Sequence, residues 1–185
     1  MTNIFKISIV FFIGLSVLIS SCKKEVDGCT DSSSMNYSSN ATSNDGSCIL
    51  AYKIAQGDWA IDTSCDSVTI SVPFIFEETI SITEIFPDSV EITGEENGVV
   101  SMDINGNNIL ADIANDGSVT IQDNETISFD TSDFDPTGFI GEVEVVITGS
   151  GTIVSDSNGN LSLTLSFEIP LSGSQSSTCE ITFSR

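Results

Sequence analysis

The sequence predicts an all-β protein, a single antiparallel β-barrel or β-sandwich of about nine to eleven strands. Two observations carry that expectation. Apolar and polar residues alternate with period two in run after run, enriched in Val, Ile and Thr, and Gly/Asn/Asp clusters separate the runs. Beyond residue 21 no window holds a helical period, so the third observation is an absence of competing signal.

The first element is an export signal over residues 1–21. Met1 to Lys6 carry one positive charge, and residues 7–19 are apolar apart from Ser8, Gly14 and Ser16. As a helix this run would reach about 20 Å, short of a hydrocarbon core about 30 Å thick. Ile19, Ser20 and Ser21 then precede Cys22. The order of charge, apolar run, small residues and cysteine resembles the lipobox of bacterial lipoproteins. That resemblance implies cleavage before Cys22 and acylation of its thiol and new amino terminus, hence a protein held in the outer membrane, on its periplasmic or cell-surface face. Two or three acyl chains suffice for stable anchoring, at about 0.8 kcal/mol per buried methylene.

Without the signal the chain keeps four positive side chains against 27 negative ones, a net −23. So acidic a surface repels nucleic acid and anionic headgroups, which excludes nucleic-acid binding from the expected partners. With Cys22 assigned to lipid, Cys29, Cys48, Cys65 and Cys179 remain, an even set bound for an oxidising compartment. Of the three pairings four cysteines allow, Cys29–Cys48 and Cys65–Cys179 are expected. The first would restrain a Ser/Asn/Asp-rich segment that buries too little apolar surface to order itself. The second would tie the beginning of the next domain to its end. Zinc is not expected, since there is no His and no cysteine pair at ligand spacing.

Residues 22–51 form the expected anchor and stalk. Within them "GCTDSSSMNYSSNATSNDGSC" resembles a short repeat of secreted Bacteroidetes-type proteins, G-C-T-D-x-x-A-x-N-Y-x-x-x-A-x-x-D-D-G-S-C. Gly28, Cys29, Thr30, Asp31, Asn36, Tyr37, Ala41, Asp45, Gly46, Ser47 and Cys48 match, whereas Ser32, Ser34, Ser39 and Asn44 depart from it. The resemblance implies a spacer. Asp31, Asn36 and Asp45 offer oxygens to calcium, but the plainer reading makes them turn residues, with Gly46 supplying a positive φ.

Residues 52–185 are the expected β domain. "DSVTISVPF" places Val68, Ile70, Val72 and Phe74 on one face, and "NLSLTLSFEI" does so with Leu161, Leu163, Leu165, Phe167 and Ile169. Shorter strands are read at "TISITEIF", "SVEIT", "GVVSMDI", "SVTIQ", "TISFD", "EVEVVIT" and "CEITF", with turns at "GEENG", "INGNN", "ANDG", "DPTG" and "DSNGN". Few charges guard the strands, so closure or a covered edge is expected. "GDWAIDTSC", with Gly57, Trp59 and Cys65, and the terminal stretch from "GSGTIV" to Cys179 resemble the small lipocalin-like lipoproteins. The resemblance implies a Gly-x-Gly turn before a long hairpin and a bridge between first and last strands. It departs in lacking the later lipocalin signatures: the only Arg is Arg185, so no arginine is expected over Trp59, which reads as a plug at the bottom of the core.

No catalytic machinery is expected. Absence of His removes Ser-His and Cys-His nucleophile pairs and imidazole ligation. Glu77–Glu78 and Glu95–Glu96 are paired carboxylates of the kind glycosidases use, but beside turns in so acidic a chain they read as a solvated face. Calcium is the one cofactor left open. Asp130, Asp133 and Asp135 fall together in "DTSDFDPTG", while Asp103, Asn105 and Asn107 are followed by Asn108 where an EF-hand needs Gly; the plainer reading of both clusters is turns, and the Asp130 loop is the better calcium candidate. "Asp-Ser-Val" at Ser67 and Ser89 resembles a short bacterial O-glycosylation acceptor. The functional expectation is a lipid-anchored envelope protein, either a binding module for a small apolar ligand, a glycan or a protein, or a structural or adhesive protein with a filled core. An apolar pocket above about 300 Å³ would favour the small ligand.

Overall fold

The computed structural model describes residues 24–72, 76–94, 98–131, 135 and 140–185, the side chains of Val72 and Phe76 excepted. The signal segment, Cys22, Phe74, Glu95, Glu96 and Asp133 lie outside the described residues.

The stalk is ordered by polar bonds and a bridge rather than by a core. Strands β1 (Asp27–Gly28) and β2 (Ser43–Asn44) pair in parallel, and Cys29 is bonded to Cys48. Asn36 closes the module: its Nδ2 donates to the Ser47 carbonyl at 2.6 Å and its Oδ1 accepts the Ile49 N–H at 2.9 Å. Asp31 and Asp45 accept the N–H groups of Ser33 and Ser47, both at 2.9 Å. Gly46 has φ +80°, the left-handed region its turn requires. The Asp31 and Asp45 carboxylates therefore serve their own turns, whereas the Asn36 amide ties its segment to the one that ends the module.

Helix α1 (Ala51–Ala55) is a single short turn that the absence of helical periodicity did not foretell; five residues are too few to show a period. Eleven strands follow among the described residues: β3 (Gly57–Cys65), β4 (Ser67–Val72), β5 (Phe76–Ser81), β6 (Ser89–Gly94), β7 (Val99–Ile104), β8 (Asn107–Ile113), β9 (Ser118–Ile121), β10 (Glu125–Asp130), β11 (Glu142–Ile153), β12 (Asn158–Ile169) and β13 (Gly173–Ser184). Eight of them, β3, β6, β7, β8, β9, β11, β12 and β13, pair antiparallel in that order, and β13 returns to β3. The result is a closed up-and-down barrel. Closure removes the exposed edges that a strand surface poor in charge would otherwise present.

Cys65 stands directly opposite Cys179 on β13, and the two are bonded. The bridge sits where β3 stops following the wall and the chain leaves into the β4–β5 hairpin, a separate two-stranded sheet.

The wall divides at one place. β9 and β10 share the same side of β11, with Thr120 opposite Ser150 and Glu125 opposite Ile147, so β10 continues along β11 while diverging from β8. Where the β8–β9 ladder ends, the Glu125 carboxylate accepts the Leu110 N–H at 2.9 Å and Gln122 N–H donates to the Leu110 carbonyl at 3.0 Å. Those two bonds satisfy backbone groups the departing strand abandons.

Three local readings are corrected. The expected Gly-x-Gly turn is no turn: Gly149 and Gly151 lie inside β11, where a Cβ would run into the Ser162 and Asn160 carbonyls of β12. The glycines permit the close approach at the bend. "TISITEIF" is strand only to Ser81; Ile82–Ile85 is a 3-10 helix. Residues three apart eclipse in that helix, so Ile82 and Ile85 both turn to the core. β8 went unread because Leu110 interrupts the polar face of "NNILADI" and Ala111 is a weak strand former, although Ile109, Ala111 and Ile113 do alternate inward.

Candidate functional site

The inward faces of the strands fill the barrel. Val100, Ile109, Ile147, Leu161, Leu163 and Leu165 are among the buried side chains of one continuous core, each burial contributing about 1.5–3 kcal/mol. Because strand parity is period two, the residues two apart on β12 all point inward, as the sequence implied.

One barrel end is sealed by a polar latch on an aromatic plug. Trp59 is fully buried and its Nε1–H donates to the Ala55 carbonyl of α1 at 2.7 Å. Phe183 meets it edge-on at 6.1 Å. The expectation that no arginine covers Trp59 is overturned: the Arg185 Cζ lies 4.0 Å from the Trp59 ring centroid. Its Nη2, Nη1 and Nε donate to the carbonyls of Ile54 at 2.6 Å, Gln56 at 2.8 Å and Asp156 at 2.5 Å. The guanidinium thus joins α1 to the β11–β12 turn while stacking on the ring. Ile181, Phe183 and Arg185 share one parity on β13, so the inward direction of Arg185 was present in the alternation.

The stalk docks on this same end. Met35 packs against the core, close enough to Gly117 in the β8–β9 turn that a Cβ there would lie 2.9 Å from its Cε.

The opposite end has an apolar lid. Val68 and Ile70 of β4 and Ile82 of the 3-10 helix are buried against it, and the Asn105 side chain at the β7–β8 turn donates to the Ile85 carbonyl at 2.6 Å. Beneath them lies a cavity of about 10 Å³, lined by residues that include Ile70, Ile82, Phe129, Val145, Leu165 and Phe167. A water needs about 10–15 Å³ and polar partners, and small-molecule sites span about 300–1,000 Å³. This apolar space, as the described residues enclose it, is too small for such a ligand. Outside it, a groove of about 660 Å³ runs between the lid and β10, lined by half-buried Ile80, Ile85 and Phe129 and by buried Ile127, with a rim of Ser, Asn and acidic side chains.

The aspartates weighed for calcium are separated in role. Asp130 is exposed at the end of β10, whereas Asp135 is 2% exposed and its Oδ2 accepts the Ile140 N–H at 2.6 Å. Asp135 is therefore bonded within its own loop, which Thr131 also braces by donating to the Gly141 carbonyl at 2.6 Å. Among the described residues no three acidic or cysteine side chains gather as a metal site. Asp103 accepts the Gly106 N–H at 2.7 Å and Asn105 takes φ +52°, the geometry of a tight hairpin turn. Glu77 and Glu78 are exposed on β5, and Ser67 and Ser89 are exposed at strand starts.

Fold and ends together define a closed, eight-stranded antiparallel barrel with a latched end and a lidded end, and among the described residues the apolar cavity under the lid holds about 10 Å³. No family model, curated protein or solved structure matches the chain.

Proposed function

We propose that the protein is a lipid-anchored, non-enzymatic envelope protein that meets a glycan or protein partner through its outer surface. The apolar space under the lid carries this reading, because among the described residues a cavity of about 10 Å³ offers no volume to a fatty acid or similar ligand. The anchor is supported by cysteine bookkeeping: the two bridges engage Cys29, Cys48, Cys65 and Cys179, leaving Cys22, behind its small residues, as the odd thiol. The absence of His and the solvated Glu77–Glu78 pair support a role without catalysis.

A second reading has one observation behind it. The lid is a separate two-stranded sheet over a lining that is apolar apart from Thr131, so its displacement would open an apolar interior to a small ligand. Titration of the mature protein with a fluorescent fatty acid separates the two. No saturable binding is expected; stoichiometric binding would restore the small-ligand form. Mass spectrometry of the amino-terminal peptide tests the anchor, and an unmodified Cys22 thiol in native mature material would remove it.

A further inference from the structure

We infer that the latched end of the barrel, with the docked stalk, is a membrane-apposed face whose apolar groove rests in the headgroup region of the bilayer that holds the anchor. The inference rests on the acylation of Cys22 proposed above and goes beyond it by assigning an orientation and a contact surface.

Three observations converge. First, a groove of about 420 Å³ opens on this end, floored by Met35 and Ile54 and flanked by Ile49 and Val154. Val154 is 60% exposed and Ile49 42%, and both flank the one groove, so the exposed apolar surface here is contiguous rather than a single side chain such as Leu171. Second, the chain enters here. The described residues begin at Lys24, two positions after Cys22, in the stalk that Met35 fixes to this end. A few extended residues span at most about 10 Å, so acyl chains inserted at Cys22 would hold Lys24, and with it the docked stalk, close to the bilayer. Third, every described cation belongs to this side. Lys24 lies in the stalk, Lys53 is exposed on α1 beside Ile54, and Arg185 closes the latch. The stalk's Glu25, Asp27, Asp31 and Asp45 and the turn residues Asp116 and Asp156 also sit here, so the surface is net acidic and contact is made by apolar burial, with Lys53 snorkelling to phosphate.

The opposite end then points away from the membrane, presenting the lid, the outer groove and the β12–β13 turn with Leu171, 72% exposed at φ +64°. The structure orients as well as encloses.

The test uses native lipidated protein in phosphatidylcholine vesicles containing a diazirine-bearing phosphatidylcholine, photolysed and mapped by peptide mass spectrometry. Lipid adducts are expected on the peptides holding Ile49, Ile54 and Val154, and not on the one holding Leu171. Val154→Glu, at an exposed position, should fold normally and lose most of that labelling. Protein that floats with the vesicles and carries acylated Cys22, yet gives no adducts at these sites, overturns the inference and leaves the anchor standing; covering of the groove by a second copy or another protein would give this same result. Protein that neither floats nor carries lipid on Cys22 overturns both.

Discussion

The two barrel ends solve one problem by different physics. At the latched end the groups to be covered are backbone carbonyls and an indole, and a single guanidinium satisfies three carbonyls while stacking on the ring. At the lidded end they are aliphatic faces, covered by a hairpin and a 3-10 helix that share no ladder with the barrel; Asn105 donates to the Ile85 carbonyl, Thr83 accepts the Cys65 N–H and Ser177 donates to the Asp66 carbonyl, and the rest is apolar packing. Directional bonds fix a geometry, whereas apolar packing fills a volume and can be undone as a unit. Both ends depend on β13, which carries Arg185 at its tail and Cys179 opposite the root of the hairpin.

Cutting that shared support should have the largest effect. Replacing Cys65 and Cys179 together by Ala frees a separation of 114 residues in the unfolded chain. A loss of about 4–5 kcal/mol is expected from chemical denaturation under the loop-entropy model. Retention of stability within about 1 kcal/mol would show that the ladder alone holds the hairpin root.

Next, Ile70→Ala should cost about 2–5 kcal/mol and enlarge the cavity under the lid. The variant should take up a small apolar dye that the parent does not bind. Equal dye binding by parent and variant would mean that the lid already opens, which erases the contrast between the ends.

Arg185→Ala should cost less, about 1–3 kcal/mol, through lost carbonyl bonds and ring stacking. No dye uptake should accompany it, because the apolar filling is untouched. Arg185→Lys should recover little, since one ammonium cannot reach three carbonyls and lie flat on the indole. Full recovery by Lys would reduce the latch to a point charge.

The smallest effect is on acid stability. The Ser47 hydroxyl and N–H hold the Asp45 carboxyl below its ordinary value of 3.8, and the Ser118 N–H and hydroxyl do the same for Asp116. Both lie on the latched side, in the stalk and the β8–β9 turn. A carboxyl lowered in the folded state contributes stability above its unfolded pKa and loses it as pH falls through the folded value. Thermal midpoints of the parent should therefore drop slightly more between pH 4 and pH 2 than those of Asp45→Asn, Asp116→Asn. Identical acid profiles would discard these two turns as contributors.

The sequence by itself determined the fold class, both disulfide pairs and the face on which Val68, Ile70, Leu161, Leu163 and Leu165 lie, since strand parity is local and the even set of four cysteines brackets the two units. It also held the direction of Arg185, two residues beyond Phe183, though the absence of a lipocalin signature argued against an arginine on Trp59. Tertiary structure alone decided barrel over sandwich, because closure is the pairing of β13 with β3 across more than a hundred residues and no local pattern records it. It decided too that the apolar space under the lid is only about 10 Å³ among the described residues, which depends on summed side-chain volume against barrel diameter rather than on any residue. Asp135 shows the same limit: in sequence it reads as a turn residue that could also offer calcium an oxygen, and only folding placed its carboxylate, buried, on the Ile140 N–H.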